Sequence, residues 1–420
     1  MTVNDCESKG AGMEAGHCVI VGGGHAVAQL TASLRQEGWT GPITLVSAET
    51  VLPYHRPPLS KAFLCGNDSD DTLLIRPREF YEKQAIDVRL GVRAQAIDRN
   101  ARRLTLDDGT TLAWDKLVLA TGAQVRRLNA PGESLANVFY LREIADVHAL
   151  RAAVVPGARA VIVGGGYIGL EVAASLRKSG LEVTVLEAQP RVLQRVTAPE
   201  VSAFYTRVHE EEGVRLLTNV AIEAIEGEGR VRSVLLRDGR RLDADLVIVG
   251  VGVLPATTLA EQVGLKVDNG IVVNEQARTS DPDIYAIGDC TRHFNPLYAR
   301  WLRLESVQNA NDQARTAALA LCGKPEPYRA LPWFWSDQFD LKLQIAGLSE
   351  GFDDVVMRGD PRQGRSFAAF YYREGRLIAV DAINRPKEFM LSKRFLASQQ
   401  SADPQRIADE SIDIKDCFVL

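Results

Sequence analysis

Apolar residues in this chain gather into short unbroken runs instead of alternating with polar ones. Val, Ile and Leu dominate His17–Val21, Ile43–Val46, Lys116–Ala120, Ala160–Val163, Val183–Leu186 and Leu246–Val249. A strand buried on both faces loses its polar alternation, so each run predicts a strand inside a parallel sheet. Helical stretches, Ala26–Glu37 and Gly169–Ser179, follow two of these runs across a cluster of glycines. Strand, glycine turn, helix and strand thus occur twice, about 140 residues apart. That predicts two copies of one fold type and no short-period repeat.

The intervening segments carry a different signature. Leu104–Leu112 contains Asp108-Gly109 and Val231–Leu242 contains Asp238-Gly239, which predicts a β-hairpin at each. Beyond about residue 330 the chain runs PWFWSDQFDLKLQIAG, then Ser366–Tyr372, the turn Glu374-Gly375, and Arg376–Asp381. This predicts a third, α+β domain with no glycine fingerprint. No low-complexity linker intervenes. The expected division is an N-terminal extension at 1–16, one dinucleotide-binding domain from 17–118 and 255–330, a second at 119–254, and the α+β domain at 331–420.

Composition narrows the function. A chain of 420 residues exceeds one hydrophobic core. Its net charge of −5 argues against a protein that binds nucleic acid by neutralising phosphates. No apolar run reaches the length of a membrane span, and the first residues lack the basic start and apolar core of a signal peptide. A cytoplasmic protein is therefore expected, with Met13 a second possible start. The six cysteines, Cys6, Cys18, Cys65, Cys290, Cys322 and Cys417, form no CxxC or similar pair. A local redox dithiol and a zinc ribbon are excluded, no metal site is expected, and the thiols read as small buried hydrophobes.

The first fingerprint is Val-Ile-Val-Gly22-Gly23-Gly24-His25-Ala26-Val27. Gly22 permits the tight strand-to-helix turn, and Gly24 lets backbone approach a pyrophosphate at a helix N-terminus. Val27 replaces the third glycine, which is expected to loosen or shift the close helix–strand contact. Glu49, after the second strand, is placed to bind a ribose. The second fingerprint is complete: Gly164-Gly165-Gly166-Tyr167-Ile168-Gly169-Leu170-Glu171. Glu187 lies 21 residues beyond Gly166, the spacing of a ribose-binding acid that favours NAD over NADP. Arg191 is the nearest residue that a 2′-phosphate could use. Two such folds suggest a resident flavin and a diffusible nicotinamide, since flavin takes up a hydride as a pair and releases electrons singly.

Several segments together resemble the pyridine-nucleotide–disulfide oxidoreductase superfamily, and within it the ferredoxin reductases of oxygenase systems. They are RPPLSKAFL (Arg56–Leu64), LVLATG (Leu117–Gly122), GGGYIGLEVAASL (Gly164–Leu176), RVLQRVTAPEVSAFY (Arg191–Tyr205), ADLVIVGVGVLP (Ala244–Pro255), TSDPDIYAIGDC (Thr279–Cys290), ESVQNANDQA (Glu305–Ala314), PWFWSDQ (Pro332–Gln338) and NRPKEF (Asn384–Phe389). The last two fall in the C-terminal domain and separate this branch from glutathione-reductase-like enzymes, whose overall α/β architecture of two Rossmann-like domains plus a C-terminal domain it shares. Ala256 departs from the family, which often has asparagine there.

The resemblance implies non-covalently bound FAD contacted by Gly22, Gly24, His25, Ala26, Glu49, Arg56, Lys61, Ala120, Thr121, Gly122, Gly288, Asp289, Val307 and Trp335. It implies diffusible NADH contacted by Gly164, Gly166, Tyr167, Ile168, Gly169, Glu171, Glu187 and Gly252. Lys61 would stand beside the isoalloxazine, paired with Glu171, and Trp335 would approach it from the C-terminal domain. Reduced flavin is anionic, and a fixed cation favours it. Trp301 reads as a core residue. The implied partner is a two-iron two-sulfur ferredoxin feeding a haem monooxygenase or ring-hydroxylating dioxygenase, docked near Arg315, Arg303 and Lys342, with the reductase a monomer or weak dimer. Rubredoxin, monodehydroascorbate or a quinone are alternative acceptors within the same fold. A signalling flavoprotein would want a large insertion and a basic surface. An NADH oxidase would want a reactive thiol, for which Cys65 is the nearby candidate.

Overall fold

The computed structural model describes residues 16–66 and 69–418. The expected extension, apart from Gly16, and the alternative start Met13 lie outside the described residues. The first fingerprint strand, Cys18–Val21, is central in a five-stranded parallel sheet. Its neighbours are Ile43–Ser47 and Lys116–Leu119, with Ile86–Leu90 and Ile284–Ala286 at the edges. The second, Arg159–Val163, sits likewise between Glu182–Leu186 and Leu246–Val249 in another five-stranded parallel sheet. The six apolar runs are thus all parallel strands. Their side chains are buried almost throughout, as strands covered on both faces must be.

The chain leaves the first sheet after Leu119, one residue past the expected boundary, because Leu119 still pairs with Ala286 and its carbonyl accepts from Ile287. It crosses outward at Ala123–Val125 and returns at Val253–Pro255, and these two crossings pair with each other antiparallel. Two connections bonded together restrict rotation of one sheet against the other. Both expected hairpins form, each within a three-stranded antiparallel sheet.

The C-terminal sheet is antiparallel, in the order Trp333–Gln338, Leu341–Gly347, Arg376–Ile383, Phe367–Arg373 and Asp354–Arg358. One of its faces packs on helices of the second dinucleotide fold: Leu341, Phe367, Ala369 and Tyr371 share a core with Val172, Val201, Phe204 and Tyr205. Trp301 is not core. It lies on the short strand Arg300–Leu302 with 45 % of its surface exposed, stacked edge-on against the equally exposed Phe294. That hairpin uses its other side for packing, so alternation turns Trp301 outward. Cys18, Cys290 and Cys417 are buried, while Cys65 and Cys322 are partly so. Among the described residues, no helix is long and apolar enough to cross a membrane.

A carboxylate lies in the middle of the sheet-to-helix interface. Asp381 is fully buried and accepts from Tyr371 Oη at 2.5 Å and Thr197 Oγ1 at 2.6 Å, both on Oδ2. Burial pushes its carboxyl up from 3.8 to about 6. The folded chain therefore holds this proton to higher pH than the unfolded chain does, and stability falls as pH rises between those two values. Asp381→Asn has nothing to titrate there. Its Tm relative to wild type is expected to climb from about pH 4 to about pH 6 and level off above. A Tm difference that stays flat across that window contradicts the assignment.

Candidate functional site

Both fingerprint helices begin at the same opening. Gly22 and Gly164 turn the chain from strand to helix at φ +145° and +111°, and a Cβ on either would lie within 2.3 Å of a neighbouring carbonyl oxygen, of Ala120 and Gly250 respectively. Only glycine makes these turns. By contrast, a Cβ on Gly166 would point into open space and one on Gly24 would make only ordinary contact with Arg56 Nε at 3.7 Å, so at both positions the helix start stays open to a ligand. Gly169 is different again: its Cβ would stand 2.1 Å from the Gly164 carbonyl, so it fixes how close the second helix sits to its strand. At the matching position of the first fold, Val27 is fully buried. Its helix, His25–Glu37, lies along the helix Val307–Leu321, and Val27 shares a core with Ala310, Ala314 and Ala317 there. The same core includes the strand residues Cys18 and Ile20, so Val27 packs between its own sheet and the alanine face of that helix.

The two helix starts face one continuous cleft of about 1660 Å³. Pockets for one small ligand run to roughly 1,000 Å³, so this space suits more than one. Its wall contains every flavin- and nicotinamide-contacting residue named from the sequence, from Gly22 to Trp335, together with Arg303. Arg315 and Lys342 lie elsewhere. Arg315 is 55 % exposed and paired with Asp312, and Lys342 is exposed on the C-terminal sheet. Arg303 is largely covered and paired with Glu305. Among the described residues the wall includes no cysteine, and Cys65 instead approaches the Ser175 carbonyl.

In the first fold, Glu49 pairs with Arg56 and accepts from Tyr54 Oη at 2.5 Å. Arg56 also donates to the Arg142 carbonyl, and Arg142 in turn pairs with Asp289 at 3.1 Å. The two acids expected around a flavin are thus held by one arginine network. His25 begins the helix with a buried, unpartnered Nε2, and burial, helped by His55 and the nearby arginines, lowers its pKa to about 3. The imidazole is neutral at pH 7, free to donate or accept towards a ligand. Gly288 N–H donates to Gln313, and Thr121 Oγ1 donates to the Ala256 carbonyl, so the substitution at Ala256 leaves that joint intact.

In the second fold, Glu187 accepts from Gly165 N–H at 2.8 Å and Gln189 N–H at 2.7 Å. A carboxylate has about four acceptor positions, which leaves capacity for ribose hydroxyls. Arg191 turns away, donating to the Thr197 and Gln194 carbonyls and to Ser202 Oγ. Its donors are engaged by the segment that follows it and by the start of the helix Pro199–Glu211. Between the folds, Lys61 Nζ pairs with Glu171 at 2.8 Å. Trp335 closes the far wall, 5.6 Å from Trp333, whose other face carries Lys393 Nζ at 4.4 Å.

The pyridine nucleotide-disulphide oxidoreductase family matches residues 16–314, and the reductase C-terminal family matches 333–418. The chain belongs to the pyridine nucleotide-disulphide oxidoreductase family. It is 46 % identical over 404 residues to putidaredoxin reductase CamA of Pseudomonas putida, covering 95 % of this chain and 96 % of that one. It is 45 % identical to the ferredoxin reductase subunit of a 5,5′-dehydrodivanillate O-demethylase from a Sphingobium species, covering 95 % and 97 %. The reductase in a crystal structure of a covalent putidaredoxin reductase–putidaredoxin complex superposes with a TM-score of 0.94 at 44 % identity, covering 96 % of this chain and 98 % of that chain.

In this chain the C-terminal domain adds a wall to a cleft built by two dinucleotide folds. The residues that sequence reasoning passed over are the ones that hold others in place: Tyr54, Arg142, Gln313, Ser60 and Ser336. Ser60 and Ser336 each adjoin a residue already singled out, Lys61 and Trp335, and that adjacency was the available signal. A specific consequence concerns Gly169. Gly169→Val copies the first fold's arrangement where no alanine face receives it, and overpacking costs about 1–3 kcal/mol. KM for the pyridine nucleotide should rise about tenfold with bound flavin unchanged, measured by steady-state kinetics alongside flavin absorbance. An unchanged KM would show that the close contact is dispensable.

Proposed function

We propose that this protein is an NADH-dependent, FAD-containing ferredoxin reductase that passes electrons singly to a two-iron two-sulfur ferredoxin serving a monooxygenase or dioxygenase. One observation supports it above all: two strand–glycine–helix cradles open into one cleft walled by a tryptophan from the C-terminal domain, with no thiol among the described residues that line it. The first fold, with its helix start open at Gly24, its neutral His25 and the anchored Glu49, suits FAD. Bound there, FAD supplies the exchange between a hydride and single electrons.

The chain's own residues account for the rest. The second helix N-terminus receives the NADH pyrophosphate, and Gly166 leaves the backbone approach open. Glu187 binds the adenosine ribose and repels a 2′-phosphate. Lys61, held by Glu171, stands as a fixed cation where negative charge develops. Ile168, exposed at the helix start, and Trp335 supply apolar walls against which planar rings stack. With no closely spaced cysteine pair in the sequence to take them together, electrons leave to an acceptor outside the chain. The acceptor is proposed from the relatives, one of which is a putidaredoxin reductase and another a demethylase's ferredoxin reductase subunit. The flat cationic and aromatic surface of Lys393, Trp333 and Trp335 is consistent with an acidic partner. A cytoplasmic setting is part of the same proposal.

Two measurements check this reading. Stopped-flow assays with NADH and purified acceptors should show reduction of a two-iron ferredoxin at two molecules per NADH. Turnover confined to rubredoxin, a quinone or oxygen would reassign the acceptor. Glu187→Ser removes the charge that opposes a 2′-phosphate, and like-charge juxtaposition costs several kcal/mol, so the NADH:NADPH ratio of kcat/KM should narrow by about tenfold or more. A ratio that holds would mean that cofactor choice is made elsewhere.

A further inference from the structure

The Lys61–Glu171 pair does not stand alone. Glu171, on the second dinucleotide fold, is buried at 5 % exposure, and its carboxylate collects three donors from the two other parts of the chain. Lys61 Nζ at 2.8 Å and Ser60 Oγ at 2.6 Å, both from the first dinucleotide fold, meet Oε2. Ser336 Oγ, from the C-terminal sheet, meets Oε1 at 2.6 Å. Ser336 is fully buried and directly follows Trp335 on the strand Trp333–Gln338.

The direction of the Ser336 hydroxyl is fixed by what lies behind it. Gln338 Nε2 donates to Ser336 Oγ at 3.2 Å, which occupies the serine as an acceptor and leaves its own proton for Glu171. Gln338 Oε1 can only accept, and it takes the Nε2–H of His209 at 2.8 Å. His209 is fully buried, and its burial lowers its pKa to about 4, so it stays neutral with its single proton committed to this contact. His209, Gln338, Ser336 and Glu171 therefore form one chain of hydrogen bonds that all point the same way, towards the carboxylate. A charged acceptor polarises such a chain, and each member strengthens the next.

We infer that Ser336 is a positioning residue for the flavin site: through Glu171 it sets where the Lys61 ammonium stands, so the C-terminal domain completes the electrostatics of a site built by the other two. This rests on the flavin reading given above for Lys61 and Glu171. The carboxylate divides its charge between Oε1, held by the C-terminal domain, and Oε2, held by Lys61 and Ser60. Without the Ser336 donor, that charge concentrates on Oε2. Lys61 is then drawn tighter to Glu171 and away from the cleft, which weakens its support of the reduced, anionic flavin.

The test is a double-mutant cycle on the FAD-loaded protein, with Ser336→Ala and Glu171→Gln made singly and together. The rate of flavin reduction by NADH and the flavin midpoint potential are both read. Hydrogen bonds to charged groups are worth enough that Ser336→Ala should slow reduction by about tenfold. It should also move the potential to more negative values. In the Glu171→Gln background the same substitution should change neither, because the group it acts through is gone. Ser336→Thr, which keeps the hydroxyl, should restore at least the potential. Equal losses in both backgrounds, or no loss in the wild-type background with the protein still folded and yellow, would overturn the inference. If Glu171→Gln itself leaves reduction and potential unchanged, the reading of the Lys61–Glu171 pair falls first, and that result is distinct from failure of Ser336 alone.

Discussion

A carboxylate buried away from water is expensive unless its partners come to it, and Glu171 is where three parts of this chain meet that demand. It sits one turn into the helix that opens the second fingerprint. Lys61 and Ser60 reach it from the first fold and Ser336 from the C-terminal sheet. Buried pairs of this kind add little net stability, but breaking one by removing a partner costs about 3–5 kcal/mol. Their value here is specificity: only one arrangement of the three units satisfies the charge. The bonded crossings at Ala123–Val125 and Val253–Pro255 and the apolar face shared by Phe367 and Phe204 supply the cohesion. Glu171 is bonded across both joints in that packing, to the first fold and to the C-terminal sheet.

Within the cleft, the two folds solve the same packing problem differently. The second keeps its third glycine, so its helix presses onto its strand and the loop at Gly165 is tied to Glu187. The first gives up that glycine for Val27 and relies on the alanine face of the helix Val307–Leu321. That helix begins at Ser306, whose side chain caps it, so the element that receives Val27 also brings Val307 to the cleft wall.

Much of the framework was legible in the sequence because its cause is local. The apolar runs around Ile20 and Ile162 have to be buried parallel strands, and the turns at Gly22 and Gly164 admit no other residue. The expected cofactor-site residues each belong to a motif with its own geometry, and the structure gathers these on one wall, whereas Arg315 and Lys342, expected at a partner surface, lie elsewhere. What escaped is what depends on distant partners. Trp301 reads as core by composition, yet it lies on a hairpin whose inner side is already filled. Arg191 reads as a possible phosphate ligand until its three local acceptors are seen. Ser336 has no reading at all until Glu171 arrives beside it from 165 residues away.

The central claim is that one cleft holds FAD on the first fold and accepts NADH on the second. Anaerobic titration of the purified protein with NADH, followed through the flavin absorbance and repeated with NADPH, tests it most directly. The account expects a flavin spectrum that bleaches at near one NADH per flavin and responds far less readily to NADPH. A protein that takes up no FAD, or a flavin that NADH leaves oxidised, would contradict it.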